Sequence, residues 1–280
     1  MSVGSPAVPG ARPLPQLAEH GRVTQARVAR SEWTKFHSLR STRWSLLAGM
    51  LLTVAFPIIF AFVTDARWGQ MSLHERASRS PLDIALAGVN VAQLAIAVLG
   101  VLVVTGEYST GMIRATFTAV PRRLPVLWAK LGVFGAVAFV LMVPAVLAAF
   151  FSSQAILARK GILQIAFSQP GVPRVMVGGA LYVMLVGIFA LGLGAIIRNT
   201  AGGISTFAGI FFVIPPLMNI LPTSWNNAAS KYLPSEAGRQ LFALQHGANT
   251  LTPLAGGLLM AGYCAVAIAV AAVLMRRRDT

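Results

Sequence analysis

Apolar residues in this chain come in six long runs, at residues 44–64, 84–105, 126–151, 175–197, 204–221 and 254–275. Each is close to the roughly 20 residues that an α-helix needs to cross the hydrocarbon of a bilayer. The pattern predicts an all-α membrane protein with six transmembrane helices. Pro57 falls inside the first run and Pro144 inside the third, where membrane helices tolerate proline. Only Arg198 to Gly203 separate the fourth and fifth runs, which predicts a tight antiparallel hairpin. Upstream, over 22–43, Ala26, Ala29, Trp33 and Phe36 recur at helical spacing, with Arg27, Arg30, Lys35 and Arg40 around them. A basic amphipathic helix with an aromatic anchor lies flat in a membrane interface. A plain basic tail is the other reading, and the aromatic stripe favours the helix. Residues 1–21 are rich in Pro, Gly and Ala without periodicity, so a disordered tail is expected. No apolar core follows them at the distance a signal peptide requires. Residues 276–280 form a short basic tail.

Composition agrees with the pattern. Hydrophobic residues make up 56% of the chain and charged residues 11%, with a mean hydropathy of +0.70. The formal net charge of +15 could suggest nucleic acid. The charge, however, sits in short segments between apolar runs, which is how membrane topology is encoded. No nucleic-acid partner is expected; the lipid bilayer is. Six spans put both termini on one side. That side holds 15 of the 23 Lys and Arg, and the other side holds eight. The excess predicts both termini in the cytoplasm of a multi-pass cell-membrane protein. The single cysteine, Cys264, lies in an apolar run and reads as a small packing residue.

One interior segment, 106–130, is a basic island between two spans. Thr110 can N-cap a short helix running from Gly111 to Phe117. In it Met112, Ile113, Thr116 and Phe117 fall on one side and Arg114 on another. Pro121 breaks the chain, and Pro125 suits the first turn of the next span. Arg122, Arg123 and Lys130 mark the water edge. An ordinary basic loop and a docking helix for a soluble partner both fit this spacing. Glu107 is either a solvated carboxylate or a partner for Arg27, Arg30 or Arg40, tying the amphipathic helix to the island.

The segment 222–253, before the last span, mixes aromatics, prolines and an apolar patch at Leu241 to Leu244. It is too polar to span and too apolar for a free loop. Short helices on or in the outer leaflet are expected, buried in protein or lining a wet cavity.

No Asp, Glu, Lys, Arg or His sits near the middle of a run, which argues against a proton relay or ion-coupled pump. In the second span Asn90, Gln93, Ala97 and Gly100 share a face that must look into the bundle, for helix packing or as part of a substrate path. In the sixth, Gly257, Ala261, Ala265 and Ala269 form a small-residue stripe that suits close helix approach, within the chain or across a dimer. The chain carries no G-x-x-x-x-G-K-[ST], H-E-x-x-H or G-x-S-x-G, and its four histidines are scattered. Catalysis, metal binding and cofactor binding by this chain are not expected.

Three motifs then resemble a known family. They are Ser31-Glu32-Trp33-Thr34-Lys35 before the first span, Gly106 to Arg114 after the second, and Pro121-Arg122-Arg123 leading to Lys130. In that order on six spans, they look like the permease subunits of type 2 ABC exporters, over about residues 23–275. The resemblance implies a transmembrane permease domain over 44–275 and a second permease chain, as a homodimer. It also implies a separate cytoplasmic ABC ATPase that binds ATP and Mg. The segment 106–125 would be the coupling helix seated in that ATPase. Contacts would come from Glu107, Thr110, Gly111, Met112, Ile113, Arg114, Phe117, Arg122 and Arg123, with Arg114 the foremost polar one. The amphipathic helix would lie beside it, and 222–253 would be the re-entrant segment capping the exit path. The apolar bundle suits an apolar or amphiphilic substrate. Two competing readings remain at this stage: a partner-free channel or facilitator, and a non-transporting scaffold or sensor subunit.

Overall fold

The computed structural model describes residues 24–111, 123–159, 161–162, 164–245, 247 and 249–277. Six helices in it are long and apolar enough to cross a membrane, and no strand occurs among the described residues. The chain is a multi-pass helical membrane protein. Helix α1 (Gln25–Ser38) precedes the spans. The spans are α2 (Arg40–Arg67), α4 (Pro81–Ser109), α5 (Arg123–Ala158), α6 (Val172–Ile197), α7 (Thr200–Met218) and α10 (Pro253–Arg277). Short helices α3 (Leu73–Ser78), α8 (Thr223–Ala229) and α9 (Pro234–Arg239) lie at the end of the bundle opposite α1.

Helices α4 and α6 form the centre, and α2, α5, α7 and α10 surround them. The helices meet closely where a side chain is missing. A Cβ on Gly100 of α4 would stand 2.3 Å from the Gly187 carbonyl oxygen of α6. The centre is otherwise dry, built from residues such as Ile96, Phe134, Met142, Val183 and Leu191. One polar pair crosses it: the Tyr182 hydroxyl of α6 donates to the Gln93 side-chain oxygen of α4.

Each span is longer than its apolar run. At about 1.5 Å per residue, the 29 residues of α4 extend about 44 Å, against about 30 Å of hydrocarbon. Its last turns therefore stand beyond the apolar core. Helix α7 starts at Thr200 rather than 204, because Asn199 caps it by accepting from the Gly202 amide at 2.8 Å. The turn before it is shorter than expected. Arg198 makes it in the left-handed region, at φ 58°. Helix α7 also carries a π-turn at Gly209–Val213. Pro215 and Pro216 follow and bring no amide hydrogen to the ladder, so the carbonyls upstream must re-pair.

Short helices do form in 222–253; α8 carries no buried residue, whereas α9 is packed in. Ala237 of α9 is fully buried, and α9 packs on α10. A Cβ on Gly178 of α6 would stand 2.0 Å from the Leu241 carbonyl oxygen. Arg174 donates to the carbonyls of Leu241 and Ala243 at 3.3 and 2.7 Å and fixes the segment to the start of α6.

The small-residue stripe needs correction as a contact within the chain. Ala265 and Ala269 are exposed, and α10 packs through the adjoining line of Gly256, Met260, Cys264, Ala267 and Ala271. Cys264 is buried as expected.

Candidate functional site

Helix α1 lies against the start of α5. Its buried line is Val28, Glu32 and Phe36, one residue per turn. Of the expected stripe Phe36 is buried and Ala29 half-buried, while Ala26 is exposed and Trp33 is 52% exposed; a glutamate takes the central buried position. Val28 packs with Val126 and Ala129 of α5. The ring of Phe36 meets that of Phe134 edge-on, with centroids 6.2 Å apart. The side-chain amide of Gln25 donates to the Pro125 carbonyl at 2.9 Å.

Glu32 is buried because two lysines meet it there. Lys130 of α5 lies 2.6 Å from one Glu32 oxygen, and Lys35 of α1 lies 2.8 Å from the other. Both lysines also reach one oxygen of Glu107 at the end of α4, Lys130 at 2.8 Å and Lys35 at 3.1 Å. The four charges alternate in sign and join three helices. Glu32, Glu107 and Lys130 are all buried. Glu107 sits in the last turn of α4, where the helix dipole disfavours an anion; the two ammonium groups offset that. Burial opposes the charge on Lys35, but hydrogen bonds and charge from Glu32, then Glu107, outweigh it and raise its pKa above 10.5. The second oxygen of Glu107 is buried with no hydrogen-bond partner among the described residues.

Glu107 therefore ties α1 to the end of α4, but not through the expected residues. Arg27, Arg30 and Arg40 are exposed and take no part. They lie off the line that faces α5, whereas Lys35 lies one turn after Glu32 and reaches over it. Sequence reasoning missed Glu32 and Lys130 as members of the site. The signal available was a glutamate centred between Val28 and Phe36 on an otherwise apolar line, with a lysine three residues on.

Thr110 closes α4, and both its amide and its hydroxyl donate to the Gly106 carbonyl; the helix expected to run on to Phe117 lies outside the described residues. Gly111 follows at φ 72°, a left-handed turn of the kind that closes helices. Met112, Ile113, Arg114, Phe117 and Arg122 lie outside the described residues, as does the side chain of Arg123, whose backbone opens α5. Residues 1–21 and 278–280 also lie outside them.

Other contacts fix the same end of α4. The Thr200 hydroxyl of α7 donates to the Thr105 hydroxyl at 2.8 Å. The Arg198 guanidinium lies 5.0 Å from the centre of the Tyr108 ring. The point where the chain leaves α4 is thus held by α1, α5 and the α6–α7 turn.

Gln93 uses both ends of its amide. Its nitrogen donates to the Asn90 carbonyl at 2.9 Å and its oxygen accepts from Tyr182. The side-chain oxygen of Asn90 is buried and has no hydrogen-bond partner among the described residues. No family model matches the chain, and no curated protein matches it.

Proposed function

We propose that this chain is the membrane subunit of an ATP-driven exporter, similar to the permeases of type 2 ABC exporters. In this reading a separate cytoplasmic ATPase, with its ATP and Mg, docks on 106–125 between α4 and α5. The observation that carries the reading is the buried ion cluster. It clamps α1 to both helices that flank the island, so a push there moves two spans of 29 and 36 residues as one lever. A loop without such a clamp would absorb the push by bending. The reading puts the α1 end of the bundle in the cytoplasm, which the excess of Lys and Arg there supports. In this reading both termini lie at that end too.

A second copy would complete the path. Of the apolar stretch of α7, 17% is buried, against 61% for α6. Phe212, Val213 and Leu217 on α7 are exposed. The substrate would be apolar or amphiphilic, in keeping with spans that hold no charge near their middle.

The test is a mild-detergent capture of the tagged chain from cells that make it, with co-purifying proteins assayed for ATP hydrolysis. A stoichiometric P-loop ATPase, lost in the Arg114→Glu variant, is expected. A clean preparation without ATPase activity would sink the exporter reading in favour of a channel or scaffold.

A further inference from the structure

A groove of about 490 Å³ opens on the outer surface of the bundle where α1, α2 and α5 meet. That volume lies in the ~300–1,000 Å³ range of ligand pockets. We propose that it is a binding site for one anionic phospholipid, with the phosphate at Arg43 and an acyl chain along Leu47, Met50 and Val140.

The lining divides by height. At its α1 end stand Trp33, His37 and Arg43; deeper in are Leu47 and Met50 of α2 and Val140 of α5. From Arg43 to Met50 the helix rises about 10 Å, a large part of one leaflet of a ~30 Å hydrocarbon core. The groove wall is almost wholly apolar, with aromatic rings and the Arg43 stem at its α1 end, which suits an acyl chain whose headgroup stands at the rim beside the Arg43 guanidinium. Trp33 is exposed beside it, with the amphipathic indole that favours this depth.

Charge selects the headgroup. No carboxylate lines the groove. The acids described at this end of the bundle are Glu32 and Glu107. Both are held by Lys35 and Lys130, on the far side of the Phe36 ring, which borders both the groove and the cluster cavity. Arg43 is exposed and forms no ion pair among the described residues. A zwitterionic headgroup would bring its own ammonium to this cation; an anionic one brings only the phosphate charge. The proposal rests on the six spans and not on the exporter reading, so either can fail alone.

The test uses the full chain in nanodiscs of zwitterionic lipid, with Trp44, Trp68, Trp128 and Trp225 changed to Phe so that Trp33 alone reports. Brominated phosphatidylglycerol or brominated phosphatidylcholine is added at equal mole fraction. The anionic lipid is expected to quench Trp33 about fivefold more effectively, the enrichment that one cation gives at an anionic surface. Arg43→Gln removes the preference and Arg43→Lys keeps it. Val140→Phe, at an exposed position, fills the groove and weakens quenching by both lipids. Soluble glycerol phosphate leaves the quenching unchanged. Equal quenching by the two lipids in the parent overturns the site, and so does a preference that survives Arg43→Gln. Competition by glycerol phosphate overturns the lipid in favour of a free phosphate. Absence of quenching by either lipid shows the groove covered by protein, a second copy included, and also overturns it.

Discussion

Lys130 carries the ion cluster, because it is the buried lysine between two buried carboxylates. Removing one partner of a buried ion pair leaves a charge without compensation and costs about 3–5 kcal/mol. Lys130→Met is therefore expected to lower the unfolding free energy in detergent by about 3 kcal/mol. Replacing a whole buried ionic set with apolar residues is close to neutral. Adding Glu32→Leu and Glu107→Met to Lys130→Met should then recover most of the loss, since Lys35 is a quarter exposed and can turn to water. If the triple variant is as unstable as the single one, the cluster is not the source of the effect. Lys35 sets the alkaline limit. Its folded pKa is raised above 10.5, so its contribution is complete below the unfolded value and is lost as pH rises through the folded one. Thermal stability should stay level up to about pH 10 and fall beyond it. Lys35→Gln should be less stable at neutral pH and show a shallower alkaline fall.

At the scale of elements, α6 holds the outer segment by close backbone approach at Gly178 together with side-chain contacts such as Tyr182 on Phe242. Gly178→Ala puts a carbon 2.0 Å from a backbone oxygen, which has no rotamer to yield. The expected cost is about 1–3 kcal/mol, with faster amide exchange at Gln240–Phe242, the turn that carries Leu241. Gly262→Ala on α10 meets no heavy atom within 4 Å and should be near neutral. Equal effects from the two would show that the Gly178 contact is not made. The spans themselves were legible, because some 20 apolar residues leave a chain few alternatives to a membrane helix. Their ends were not, since capping by Asn199 and the left-handed turn at Arg198 depend on backbone geometry that hydropathy does not encode. The cluster was legible in half. Glu107 pointed to the amphipathic helix, but Lys130 and Glu32 are 98 residues apart in sequence. Only packing of α1 on α5 brings them together, and a lysine beside an apolar run reads on its own as a water-edge residue. Thr110 closes α4 because a threonine hydroxyl can bond back to the turn before it.

On the scale of the molecule, the unequal burial of the spans is what a single chain leaves unexplained. Helices α4 and α6 are enclosed by their neighbours, while α7 shows Phe212, Val213, Ile214 and Leu217 on its outward side. Lipid could cover such a face at little cost, because acyl chains are as apolar as these side chains, so exposure alone does not require a partner. A second copy would make one side of α7 unlike the lipid-facing sides of α2 and α10. Cysteine chemistry can tell the two apart, since Cys264 is the only native cysteine and is buried. In a Cys264→Ala background, single cysteines at Val213, Ile214 and Leu217, which share one face of α7, should form oxidised dimers in native membranes. Cysteines at Ile59 on α2 and Val266 on α10, which are equally exposed, should stay monomeric. Disulfides need Cβ atoms within about 4.5 Å, so collision between freely diffusing chains would label all five positions alike. Uniform labelling, or none, would assign the α7 face to lipid. The exporter reading would then need its second chain on another surface.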